Sequence, residues 1–92
     1  MKSVIQSEKE CFVCKTTLNL HCHHIYGGNP NRRISEKYGL KVYLCQQHHT
    51  GNRGVHFNKD LDLKLKVMAQ EYYEAHYGNR NAFINAFGRS YI

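Results

Sequence analysis

The sequence predicts a small α+β domain stapled by a metal ion. Three observations point there: two short Cys/His pairs far apart in the chain, two extended stretches beside them, and a helical stripe in the second half. With 92 residues, 41% hydrophobic and 22% charged, the composition is that of a globular protein. A chain this short buries only about 60–65% of the surface its unfolded form exposes, so the core alone is marginal and a staple is expected. Cys 4 and His 7 supply ligands for one.

The elements follow in order. Residues 1–10 are polar and read as a loose lead-in. Cys11 and Cys14 form the first pair, followed by a turn over Lys15 to Asn19 and an extended stretch from Leu20 to Ile25. Gly27, Gly28, Asn29, Pro30 and Asn31 are consecutive breakers and mark a loop over 26–39. A short helical turn from Ser35 to Tyr38, capped by Ser35, closes that loop. Leu40 to Cys45 holds Val42, Tyr43 and Leu44 and suits a strand. Residues 46–57 carry His48 and His49, then Gly51 and Gly54.

Asn58 is placed to cap a long helix, with Asp60 and Asp62 at its positive end. Leu61, Leu65, Met68, Tyr72 and Ala75 fall on one face, and Gly78 is a natural stop. Asn79 to Phe87 reads as a short terminal helix ended by Gly88, packed back through Phe83, Ile84 and Phe87. The apolar group of Phe83, Ile84, Phe87, Tyr91 and Ile92 suits either a core or a homodimer contact across a twofold axis. With no repeat or linker, the reading is one domain over 1–92: lead-in 1–10, knuckles and metal site 11–57, helical part 58–92.

Charge narrows the partners. Thirteen Lys+Arg against seven Asp+Glu give +6 and a pI near 9.3. Such a surface suits a polyanion, most often nucleic acid, although a merely basic protein has the same arithmetic. No apolar run approaches the ~18 residues of a membrane span. The start, MKSVIQSEKE, has no signal-peptide stretch, so a cytoplasmic location is expected. Disulfides are rare there, which turns the four cysteines toward metal.

Cys11-x2-Cys14 and Cys45-x2-His48 each bring two ligands to one ion from one tight turn. Together they make a closed tetrahedral Cys3His site with no open position for water, hence a structural zinc. Disulfides are the competing reading. A redox role for Cys11 and Cys14 leaves Cys45 and His48 unexplained. Cys22 lies outside both pairs and reads as a buried core thiol.

The histidines form a second group. His23 and His24 are consecutive, and consecutive strand residues point to opposite faces, so one ion does not usually take both. One is suited to bind metal and the other to handle a proton. His49 follows His48 and points elsewhere, toward His23. A neutral imidazole, with a reference pKa near 6.5, accepts a proton from water at neutral pH. Ordinary core or surface histidines are the alternative.

These residues resemble the HNH nucleases, the zinc-containing branch of the ββα-metal (His-Me finger) fold. The resemblance covers Cys11 to about His56. Leu20-His21-Cys22-His23-His24-Ile25 matches the family's strand frame. Leu44-Cys45-Gln46-Gln47-His48-His49 matches its second knuckle, with His48 where a Cys is usual. The resemblance implies that His24 is the general base. It also implies that His23 and His49 ligate one catalytic divalent ion (Mg, Mn, Ni or Zn) at the scissile phosphate, for hydrolysis of DNA phosphodiesters.

Two departures stand out. The family's supporting Asn, five residues before the second knuckle, is Leu40 here. Gly51 and Gly54 interrupt the helix that normally carries the last ligands. His56 follows; it either completes the site, replaces His49 in it, or is an ordinary loop residue. The similarity to small HNH proteins of phages and prophages implies DNA processing, recombination or restriction. The alternative is a non-catalytic zinc-knuckle module that binds DNA or protein on the same fold.

Arg32, Arg33, Lys37 and Lys41 cluster between the two strands, and Arg53 follows the second knuckle. They are expected to run along a DNA phosphate backbone, giving salt-dependent affinity with little sequence preference. A solvated basic loop is the other reading. Lys59, Lys64 and Lys66 are expected on the solvent face of the long helix.

Overall fold

The computed structural model describes residues 1–52 and 54–92. Its elements run β1 (Leu20–His24), α1 (Asn31–Tyr38), β2 (Lys41–Cys45), α2 (Gln46–His49), α3 (Lys59–His76) and α4 (Arg80–Phe87). The α+β class holds: a two-stranded antiparallel sheet lies among helices. No helix among the described residues is long and apolar enough to cross a membrane.

The sheet register sets everything near the site. His21 faces Leu44, Cys22 faces Tyr43, His23 faces Val42 and His24 faces Lys41. Cross-strand partners share a face, so His21 and His23 lie with the buried Val42 and Leu44. Cys22 and His24 lie on the other face. Cys22 is exposed there, not the buried thiol expected from sequence. An alternating strand with histidines on its inner face necessarily turns the intervening residue outward.

The connection between the strands is a full helix, not a late turn. α1 begins directly after Pro30, which stands at its N-cap. Ser35 therefore sits inside the helix and caps nothing. It is fully buried, and its hydroxyl donates to the Tyr26 carbonyl (2.9 Å) and accepts from the Tyr26 N–H (3.2 Å). That pair of bonds clamps α1 onto the end of β1. Gly39 ends α1 at φ 71°, where a Cβ would meet the Lys2 carbonyl oxygen at 2.6 Å.

That approach reflects a lead-in more tightly held than its polarity suggests. Val4 N–H donates to the Gly39 carbonyl (2.9 Å), and the Gln6 side chain accepts from Tyr43 N–H (2.8 Å). Val4 and Ile5 pack on the core. The segment thus runs along the free edge of β2.

Asn58 caps α3 as expected, accepting from Leu61 N–H (3.1 Å), and Asn79, expected as the first residue of the terminal helix, caps it instead, accepting from Ala82 N–H (2.8 Å). The buried stripe of α3 is rotated from the expected one. Leu65, Ala69 and Tyr73 are buried together with Gln70, whereas Met68 and Tyr72 are half-buried and Ala75 is exposed. Gln70 explains the rotation: its amide accepts from Tyr91 N–H (2.7 Å) and donates to Ser90 (2.9 Å) and Glu74 (2.8 Å). A polar residue so satisfied anchors the C-terminal segment on α3. Phe83 and Phe87 close the core against Tyr26, at ring separations of 5.3 and 4.5 Å. Ile84 is half-buried and Ile92 exposed.

Candidate metal centres

Two clusters of metal-ligating side chains flank α2. The first joins Cys11, Cys14, Cys45 and His48. The first knuckle is a tight turn, with Lys15 N–H donating to the Cys11 carbonyl (2.9 Å) and Cys11 N–H to the Thr16 carbonyl (2.8 Å). Phe12 N–H donates to the Tyr43 carbonyl (2.8 Å), which ties this turn to β2 and so to Cys45. Cys14 and Cys45 sulfurs are 3.8 Å apart; His48 Nδ1 is 3.3 Å from Cys45 Sγ and 3.7 Å from Cys11 Sγ. A tetrahedron with Zn–S near 2.3 Å and Zn–N near 2.0 Å has edges of roughly 3.5–3.8 Å, so the donor set fits zinc. A disulfide, at about 2.05 Å, does not match these separations.

Cys11 and Cys45 are buried while Cys14 is exposed. Burial alone would raise the Cys11 thiol, but backbone N–H groups of Cys14, Cys45 and Val13 outweigh it and bring it down to about 6. At Cys11 these N–H groups thus stabilise a thiolate, the form that binds metal.

The second cluster joins His23, His49 and His56. The ligand atoms lie within 4.8 Å of one another. β1 supplies His23, α2 supplies His49, and the following loop supplies His56. Gly54 makes that loop possible: a Cβ there would sit 2.5 Å from the His49 carbonyl oxygen. The chain folds back tightly, with Val55 N–H donating to the His48 carbonyl (2.9 Å), and His56 is returned to His49. His56 therefore lies beside His49, their ring centroids 5.0 Å apart.

His23 is only 8% exposed, and its Nε2 is buried without a hydrogen-bond partner among the described residues. An orphaned buried nitrogen facing two further imidazoles suits a divalent cation. Burial, with His49 and His56 nearby, pushes His23 down to about 4. His49 is also lowered, by burial and then by His56 and His21. Both rings are neutral at pH 7, as ligands must be.

His21, outside the three-histidine ligand set, touches it through His49. It lies two residues before His23, hence on the same face, and its Nδ1 is 2.9 Å from His49 Nδ1. That contact leaves His49 Nε2 for an ion and fixes the ring's orientation.

His24 stays outside this ligand set, in keeping with strand alternation. It nonetheless lines the same open cleft, of about 580 Å3, as His23, His49 and His56. Its Nε2 is 2.8 Å from Glu36 Oε1.

The basic residues divide. Arg32 lines the cleft, and with Arg33 it lines an adjoining groove beside His24 and Glu36. Lys41 does not serve as a free cation: it binds both Glu36 oxygens (2.9 and 2.8 Å) and its side chain is 15% exposed. Lys37 lies over the Tyr38 ring, 5.4 Å from its centroid. Arg53 lies outside the described residues. Lys66, expected on the solvent face, is half-buried and lines the cleft with Asp62, while Lys59 is exposed as expected and stands at the rim of the same cleft. Lys66 pairs with Asp62 at 2.8 Å. The one-step rotation of the α3 stripe accounts for the change.

Comparison with protein-family models, curated proteins and solved structures finds no match for this chain.

Proposed function

We propose that the protein is a metal-dependent nuclease of the HNH type, hydrolysing DNA phosphodiesters, with β1, β2 and α2 forming a ββα-metal site. One observation carries the reading. Three imidazole donors converge in a cleft that also holds a fourth histidine outside the ligand set and cations on its rim. A structural site needs no such opening; the Cys3His cluster has all four of its ligands from protein.

His23, His49 and His56 would hold the catalytic ion. All-nitrogen donors favour zinc or nickel over magnesium, which prefers oxygen ligands. A bound divalent ion supplies Lewis-acid stabilisation of the charge that builds on the phosphate. His24 takes the proton of the attacking water. Arg32 and Lys59 hold the phosphate backbone along the cleft, and Arg33 extends that contact into the adjoining groove. Phage-type DNA processing, recombination or restriction is the context this reading suggests.

The test is plasmid nicking by wild type and His24→Ala, with the cleft metal removed under mild chelation that leaves the structural zinc in place, and with Zn, Ni, Mn or Mg restored. Wild type nicks only with metal restored. His24→Ala loses about 100- to 10,000-fold in rate, with zinc content and DNA affinity retained. A wild type inert with every metal, on duplex and single-stranded DNA alike, would leave the zinc-knuckle binding module as the reading. Leu40, fully buried where the family carries an Asn, is the observation that favours that module.

A further inference from the structure

A histidine acts as a base only when one ring nitrogen keeps its lone pair, and which nitrogen does so is set by the partner of the other. His24 has such a partner. Its Nε2 lies 2.8 Å from Glu36 Oε1, on a helix that reaches back over the end of β1. We propose that Glu36 is a positioning residue for His24: its carboxylate accepts the Nε2–H, fixes that tautomer, and leaves the Nδ1 lone pair for the cleft. The inference rests on the reading of His24 as base for its catalytic consequence, and on geometry alone for the pairing.

The carboxylate is itself held in place. Lys41 is the cross-strand partner of His24 and binds both Glu36 oxygens, at 2.9 and 2.8 Å. α1 is clamped to the same strand end by Ser35 and Tyr26. Glu36 therefore meets His24 from a backbone fixed at two points. Lys41, then the N-terminal ammonium and His24, hold the Glu36 carboxyl well below the usual carboxylate range, so it is an acceptor throughout. Lys41 thus has a use inside the fold that accounts for its poor exposure. A carboxylate–histidine pair of this kind orients the ring and fixes its tautomer without touching the substrate.

Two readouts test the pairing. The first is the tautomer of His24, read from long-range 1H–15N correlations at neutral pH, with the resonance assigned through His24→Ala. In wild type the proton sits on Nε2 and Nδ1 is bare. In Glu36→Ala that preference is lost, while zinc content and melting temperature show that the fold persists. Glu36→Gln keeps an acceptor oxygen and keeps the tautomer.

The second readout is nicking. Glu36→Ala lowers kcat by about 10- to 100-fold with KM for plasmid and affinity for the cleft metal unchanged, and Glu36→Gln recovers most of the rate. A merely structural Glu36 would move melting and KM and would not separate Gln from Ala. A His24 protonated on both nitrogens in wild type, or a tautomer unchanged in Glu36→Ala, overturns the proposal. If wild type nicks nothing while the tautomer follows Glu36 as expected, the nuclease reading falls and the positioning of His24 by Glu36 stands.

Discussion

The two centres sit on either side of one four-residue turn, α2, and differ in almost everything else. His48 leaves that turn toward three cysteines, and His49 leaves it toward three histidines. The cysteine centre is closed, joins a turn near the N-terminus to the end of β2, and has donors spaced as a tetrahedral ion requires. The histidine centre opens into a cleft and gathers its donors from a strand, a helix and a loop. Thiolates that cross-link distant segments serve stability. Neutral imidazoles in a cleft with cations on the rim serve a ligand. A small core needs the first before it can present the second.

The comparison breaks most visibly if the wrong centre proves essential to folding. Cys11→Ser or Cys45→Ser should lose both zinc and the folded state. Structural zinc contributes about 10–16 kcal/mol of binding free energy, more than the ~5–10 kcal/mol stability of a small domain. His49→Ala should instead keep one tightly held zinc and a native circular dichroism spectrum, and lose only the ion held in the cleft. Metal content by atomic absorption on dialysed protein separates the cases. A folded, zinc-free wild type would reverse the roles assigned to the two centres.

A smaller effect sharpens the division among the cations. Arg32→Ala with Arg33→Ala should weaken DNA binding and reduce the slope of log K against log salt by up to about 1.8, or roughly 0.9 per phosphate contact. Lys37→Ala, at a side chain resting on Tyr38, should leave the slope nearly as it was. Fluorescence anisotropy across a salt series gives both numbers. Equal slopes for the Arg pair and wild type would move the polyanion off this face.

What was legible in the sequence was local. The x2 spacings named all four Cys3His ligands, because a tight turn needs nothing beyond its own residues. Asn58 was legible as a cap for the same reason. His23 and His24 parted as alternation requires. Glu36 was not legible: it reaches His24 only because α1 folds back over β1, and nothing near Glu36 in sequence signals that. His21 carried a signal that was overlooked, since residues two apart on a strand share a face. The phase of α3 is not legible from its apolar residues, because Gln70, a polar residue, is buried by its bonds to the C-terminal segment. That one-step rotation brings Lys66 into the cleft.

The finest distinction concerns protons. His23 is held neutral, with its pKa moved from 6.5 down to about 4. The unfolded chain therefore takes up a proton at this position that the fold refuses. The resulting stability is fully present above about pH 6.5 and is lost as the pH falls toward 4. The zinc centre is acid-sensitive too, so the comparison must cancel it. His23→Leu lacks the titrating group and keeps the cysteines. With the cleft metal removed and the structural zinc retained, urea denaturation of both proteins at pH 7 and pH 5.5 isolates the difference. On moving to pH 5.5, wild type should lose about 1 kcal/mol more than His23→Leu. A gap that does not change with pH would mean that His23 titrates as it does in water. It would then not be the buried, partnerless imidazole on which the cleft's claim to a metal depends.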